Sequence, residues 1–162
     1  MKKSLLLFVC AFMAVCAVSS AQDCSGTLVE NKKVGGTQIL QSQFIKMVIR
    51  AEYSYDLAFM VDQRGVLGKV QSKGGETLNQ GDELIFMDNN NIRKTYRFIE
   101  MNEMSRQGDV PVYQNILQLD LAALEWFSSS KMKAVYLKSN VSNQIRKFSL
   151  QSNRQNEFLR VA

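Results

Sequence analysis

Histidine is missing from all 162 residues. That removes the commonest general base and the commonest metal ligand. With it go Ser-His-Asp and Cys-His arrangements and histidine-bearing zinc or iron sites. Proline occurs once, as Pro111, so no proline-rich linker divides the chain. A phosphate-binding glycine loop is also lacking. Gly65 and Gly68, and the pair Gly74-Gly75, have neither the lysine-threonine ending nor the helix that such a loop requires. A Ser-Lys pair or a carboxylate pair is the remaining formal route to catalysis. The acids Asp56, Asp62 and Asp109 read instead as turn-flanking residues, where aspartate is ordinary. A non-enzymatic protein with no cofactor and no metal is expected.

Cysteine is scarce, at positions 10, 16 and 24. Its meaning depends on the N-terminus. Lys2 and Lys3 precede an apolar run from Leu5 to Val18, which leads into Ser19-Ser20-Ala21-Gln22. This is the charged, apolar and small-residue order of a secretory signal peptide, with a cut expected after Ala21. The apolar run is about 14 residues, roughly 21 Å as a helix, short of the ~20 residues that span a bilayer. Val9, Val15 and Asp23 precede the three cysteines and do not suit lipid attachment. Cleavage would leave Cys24 alone, without an internal disulfide partner. It would also leave 18 basic against 15 acidic residues, a charge of +3 instead of +5. Three segments follow: 1–21 as signal peptide, 22–27 as a flexible N-terminus, and 28–162 as one β-rich domain with no transmembrane span.

Strand signals dominate the mature chain. Residues 27–34 read as a short strand stopped by Gly35-Gly36. Residues 42–54, "SQFIKMVIRAEYS", are apolar at both parities, as in a strand covered on both faces; Phe44, Met47, Val48 and Ala51 sit three or four apart as in a helix, but the crowding of Val, Ile, Phe and Tyr favours the strand. Residues 56–62 and 66–71 read as strands joined by a turn at Gln63-Arg64-Gly65. Residues 100–110 read as a loop, and 111–119 as a strand opened by Pro111. Asp120 is a natural N-cap for a short helix near 120–129, whose Leu121, Leu124 and Trp126 or Phe127 would lie on a sheet. Residues 131–138 and 144–150 read as strands. Ser152 and Gln155 have capping-box spacing, so 153–161 reads as a C-terminal helix. The fold expected is α+β, mainly antiparallel sheet.

The passage "GDELIFMDNNNIRKTYRF", residues 81–98, admits a sharper reading. Pairing Leu84 with Tyr96 and Phe86 with Lys94 leaves a three-residue loop, Asn89-Asn90-Asn91. Asparagine tolerates the left-handed conformation that such a loop demands. Leu84, Phe86, Ile92, Tyr96 and Phe98 then share one face. A calcium loop is disfavoured, because Ile92 falls at a ligand position and the loop's glycine and closing glutamate are missing.

Charge is unevenly placed. Residues 131–162 carry seven basic side chains against Glu157 alone, leaving the rest of the mature chain net negative. Lys131, Lys133, Lys138, Arg146 and Lys147 are the candidate residues for an anionic partner: a glycan, lipopolysaccharide or an acidic protein face. Nucleic acid is not expected outside the cytoplasm. The alternative is lysines and arginines that merely guard a sheet edge. Met47, Met60, Met87, Met101, Met104 and Met132 suggest a second class, a carrier of a lipid or other apolar ligand in a sheet-lined pocket.

The "AVSSAQ" junction, "LNQGDELIFMDNNN", and "LQLDLAALEWFSSSKMKAVYL" as strand, short helix and strand together resemble small exported proteins of the Bacteroidetes type. The resemblance implies an envelope, periplasmic or extracellular location and a β-rich domain with helices near its end. It carries no activity. An exported binding module that uses its basic C-terminal region is the leading expectation.

Overall fold

The computed structural model of the chain describes residues 28–34 and 36–162. The expected signal peptide, the expected flexible segment 22–27 and all three cysteines lie outside the described residues. Among the described residues eleven strands and three short helices follow in order: β1 (Leu28–Val34), β2 (Thr37–Ser42), β3 (Ile45–Ile49), β4 (Ser54–Asp62), β5 (Gly65–Lys73), β6 (Glu83–Asp88), β7 (Arg93–Arg97), β8 (Glu103–Gln107) and β9 (Val110–Gln118). Then come α1 (Leu121–Ser129), β10 (Met132–Lys138), β11 (Ile145–Ser149), α2 (Ser152–Gln155) and α3 (Glu157–Val161). The expected α+β class, mainly antiparallel, is what forms. Among the described residues no helix is long and apolar enough to cross a membrane.

The strands make two antiparallel sheets. The larger runs β1-β2-β4-β5-β9-β8, with β3 also on β4; the smaller runs β11-β10-β6-β7. Aromatic side chains fill the space between them. Phe127 of α1 packs 5.4 Å from Phe59 of the larger sheet and 4.9 Å from Phe86 of the smaller, ring centre to ring centre. Phe158 of α3 stacks on Phe127 at 5.6 Å. Phe86, Phe127 and Phe158 are fully buried, each worth about 1.5–3 kcal/mol of transfer free energy. The C-terminal residues are thus part of the core.

The expected hairpin forms in the expected register. Leu84 lies opposite Tyr96 and Phe86 opposite Lys94. The Asp88 amide donates to the Ile92 carbonyl at 3.1 Å, and Asn91 takes the left-handed conformation at φ 64°. Ile92 departs from the expected apolar face. It sits at the loop's end and is 51% exposed, beyond the reach of the core.

Other expectations need correction. Residues 42–54 are not one strand: Ser42 ends β2, and a turn closed by the Arg50 amide on the Tyr53 carbonyl separates β3 from β4. The register shifts between Lys46 and Val48, so a bulge at Met47 buries both Met47 and Val48. A bulge breaks strict alternation, which is why the segment looked apolar at both parities. Residues 100–110 contain β8, an edge strand exposed along its whole length. With no face to bury, it shows no apolar alternation.

The helices also differ in detail. The Ala123 amide donates to Asp120 Oδ1 at 2.7 Å, so the N-cap is as expected. Ala123, Trp126 and Phe127 form the buried side, however, and Leu121 is 69% exposed. The C-terminal helix is two pieces broken at Asn156. Gln151, and not Ser152, takes the cap position, and no side-chain capping bond forms.

Candidate functional site

The smaller sheet has a solvent face built by alternation. Leu84, Phe86, Tyr96, Val135, Leu137 and Phe148 point to the core, so their neighbours must point outward. Three cross-strand rows result. Lys147, Tyr136, Ile85 and Thr95 form one; Ser149, Ala134, Met87 and Arg93 the next; Ile145, Lys138, Glu83 and Arg97 the third. Lys133 stands at a bulge beside this face, and its ammonium donates to Asn91 Oδ1 at 3.0 Å. Five cations therefore converge on one surface with a single carboxylate, Glu83.

That carboxylate serves one end only, where it offsets one of two cations. Lys138 contacts Glu83 Oε2 at 3.1 Å and Arg97 contacts Oε1 at 3.0 Å. Hydrogen bonds from Lys138 and then Arg97 hold the Glu83 carboxyl below the usual carboxylate range. The other end is different. The Arg93 guanidinium lies 5.5 Å and the Lys147 ammonium 5.8 Å from the centre of the Tyr136 ring. The Tyr136 hydroxyl donates to Met87 Sδ at 3.6 Å, which lays the ring down along the sheet. The π-face draws each cation by about 0.5–1 kcal/mol, but it cannot cancel their charge. Among the described residues neither Arg93 nor Lys147 has a carboxylate partner.

The sequence-predicted cations divide accordingly. Lys133, Lys138 and Lys147 belong to this surface. Arg146 is opposite Leu137 and so on the other side of β11, where it pairs with Glu76 at 2.5 Å. Lys131 precedes β10, exposed, its carbonyl accepting from the Asn89 amide. The charge asymmetry of residues 131–162 does not point to Arg93 and Arg97, which lie on β7, or to Tyr136, which carries no charge. The hairpin register already placed residues 93, 95 and 97 opposite the core-facing Tyr96. That signal sufficed to find both arginines, though not their proximity to β10.

Three surface clefts are lined by other groups. One of about 190 Å³ lies among Glu76, Asn79, Asp82, Ser139 and Arg146. One of about 300 Å³ takes in Phe44, Lys46, Arg154 and Arg160. A third, about 290 Å³, includes Arg50, Glu52, Asp56 and Lys73. None of the three is lined by a methionine. Met47, Met60, Met87 and Met132 are buried as packing, while Met101 and Met104 are exposed.

Asp56 needs a correction of its own. It is the third residue of β4, not a turn neighbour, and it is buried with Oδ1 unpartnered. Burial pushes its carboxyl up, opposed by Lys73, Lys46 and Arg154. Among the described residues no group of three acids or cysteines comes together to hold a metal ion. No family model matches the chain, and no curated protein or solved structure matches it either.

Proposed function

We propose that the protein is an exported, non-enzymatic binding module whose ligand is an acidic glycan of the cell envelope or its surroundings. The ligand lies along the outer face of the β11-β10-β6-β7 sheet. One observation carries this reading: Arg93 and Lys147 share the Tyr136 ring with no carboxylate on either, and Lys133 extends the positive file along β10. Uncompensated cations on a rigid strand surface are set up for charge-assisted bonds to sulfate, phosphate or carboxylate groups. A protein partner would want an apolar centre. On the two middle strands of this face Ile85 and Tyr136 are only partly exposed and Met87 and Ala134 are buried, while the well-exposed Ile145 sits on the edge strand.

Titration calorimetry tests the reading. A sulfated or uronate-bearing polysaccharide is compared with a neutral polymer of the same backbone, using wild type and a Lys133→Gln, Lys147→Gln double variant. Selective, salt-sensitive binding that the variant loses is expected. Equal binding of charged and neutral polymers, or no change in the variant, overturns it. Retention of wild type by acidic proteins or lipopolysaccharide alone would replace the ligand class. Export is tested separately: the mature protein's mass should begin at Gln22, and cytoplasmic protein still carrying Met1 would refute it.

A further inference from the structure

Strand β1 ends the larger sheet, and among the described residues nothing pairs with its outer edge. Its sequence, Leu28-Val29-Glu30-Asn31-Lys32-Lys33-Val34, is nearly solvent-exposed throughout. An open strand edge is a template for another strand, and the question is which strand fits. Val34 lies opposite Thr37 across the hairpin. With that pair hydrogen-bonded to close the two-residue loop, ladder alternation turns the main-chain N–H and C=O of Asn31 and Lys33 outward.

We infer that β1 pairs antiparallel with β1 of a second copy of this chain, about a two-fold axis at Asn31. The charges select that register. With Asn31 opposite its own copy, Glu30 of each chain faces Lys32 of the other, twice. Shifting the axis to Glu30 sets glutamate against glutamate, and shifting it to Lys32 sets lysine against lysine. Opposite charges directly across a ladder stabilise it and like charges oppose it. Glu30 and Lys32 already share one face of the strand, 3.0 Å apart within the chain. The pair of strands therefore assembles an alternating square of two acids and two bases. Asn31, whose outward groups meet their own copy, contributes two main-chain hydrogen bonds at the centre.

The register shift between Leu28 and Glu30 makes the strand irregular before Glu30, so about an axis at Asn31 only residues 30–32 of each chain meet regular partners. So short a contact falls below the roughly 1,000 Å² of a persistent interface. The dimer is weak and concentration-dependent, and isologous as two-fold contacts are. It does not involve the basic face of the smaller sheet.

Sedimentation velocity over a concentration series tests this on protein purified as the cell produces it. Wild type is expected to shift from monomer toward dimer as concentration rises. Glu30→Lys and Lys32→Glu each place like charges opposite one another, so each alone is expected to stay monomeric. An equimolar mixture of the two restores two Glu–Lys contacts and is expected to recover the dimer as a mixed pair. Asn31→Pro removes an outward N–H and leaves the main-chain bonds to β2 in place, losing only the exposed side-chain bond that Gln38 Nε2 donates to Asn31 Oδ1 at 3.0 Å, and should also be monomeric. Circular dichroism confirms that each variant is folded. Wild type that stays monomeric throughout, or a mixture no more associated than its components, overturns the inference.

Discussion

Trp126 and Asp88 join α1 to the central hairpin: the indole Nε1 donates to Asp88 Oδ2 at 3.3 Å in the buried interior. The other carboxylate oxygen is equally occupied. Asp88 Oδ1 accepts from the amides of Asn90 and Ile92, each at 2.9 Å. The residue that might have begun a calcium loop instead ties its own turn and fastens the helix above it.

Asp88→Ala should therefore cost about 2–3 kcal/mol, since it strands two loop amides and a buried indole N–H. Trp126→Phe keeps most of the ring and should cost about 1 kcal/mol beyond its packing loss. Urea unfolding of both single variants and the double variant gives their coupling, expected positive and near 1 kcal/mol. Strict additivity would mean that the indole bond contributes nothing.

On the basic face, Tyr136→Leu separates placement from charge. Arg93 and Lys147 keep their charges but lose the ring that holds them. Affinity for an acidic polysaccharide should fall about three- to tenfold, with the slope of log K against log salt unchanged. Arg93→Gln should lower both affinity and slope, the slope by just under one. If Tyr136→Leu behaves like wild type, the ring does not organise the site.

Asp56 predicts a pH dependence. Its carboxyl is raised above the ordinary value of 3.8, chiefly by burial. The native state then holds a proton that the unfolded state has released, so stability falls as pH climbs from 3.8 through the raised value. Asp56→Asn removes that titration while Lys46, Lys73 and Arg154 still face the site. Its stability relative to wild type, measured by urea unfolding at stepped pH, should increase over that window and level off above it. A difference independent of pH would contradict this.

The cap of α1 is testable by a single atom group. Asp120→Ala removes the acceptor for the Ala123 amide and should cost about 1 kcal/mol. Asp120→Asn keeps an acceptor and should recover most of that. Thermal unfolding of the two variants reads the difference.

Gly74 has φ 64°, and a Cβ there would collide with the Glu52 carbonyl oxygen. Gly74→Ala should destabilise by more than the about 1 kcal/mol of left-handed strain alone, because backbone must move. Gly36→Ala, also at positive φ but with open space around it, should show only the strain cost. Similar losses at both positions would deny the clash its weight.

Where each turn is made by its own residues, the sequence alone determined the outcome. Asn91 accepts the left-handed loop position, Asp120 caps α1, and the spacing of Leu84, Phe86, Tyr96 and Phe98 fixes the hairpin register. These are local effects, decided within a few residues by sterics, hydrogen bonding and the two-residue strand period. The tertiary structure decided what lies between distant segments. It brought Arg93 and Lys147, on strands separated in the chain, onto one tyrosine; it set Glu76 beside Arg146; and it made an edge strand of polar residues that carry no apolar signal. Sheet order settles such neighbours, and sheet order is won by the burial of Phe59, Phe86, Phe127 and Phe158 together, a sum over the whole chain that no single stretch displays.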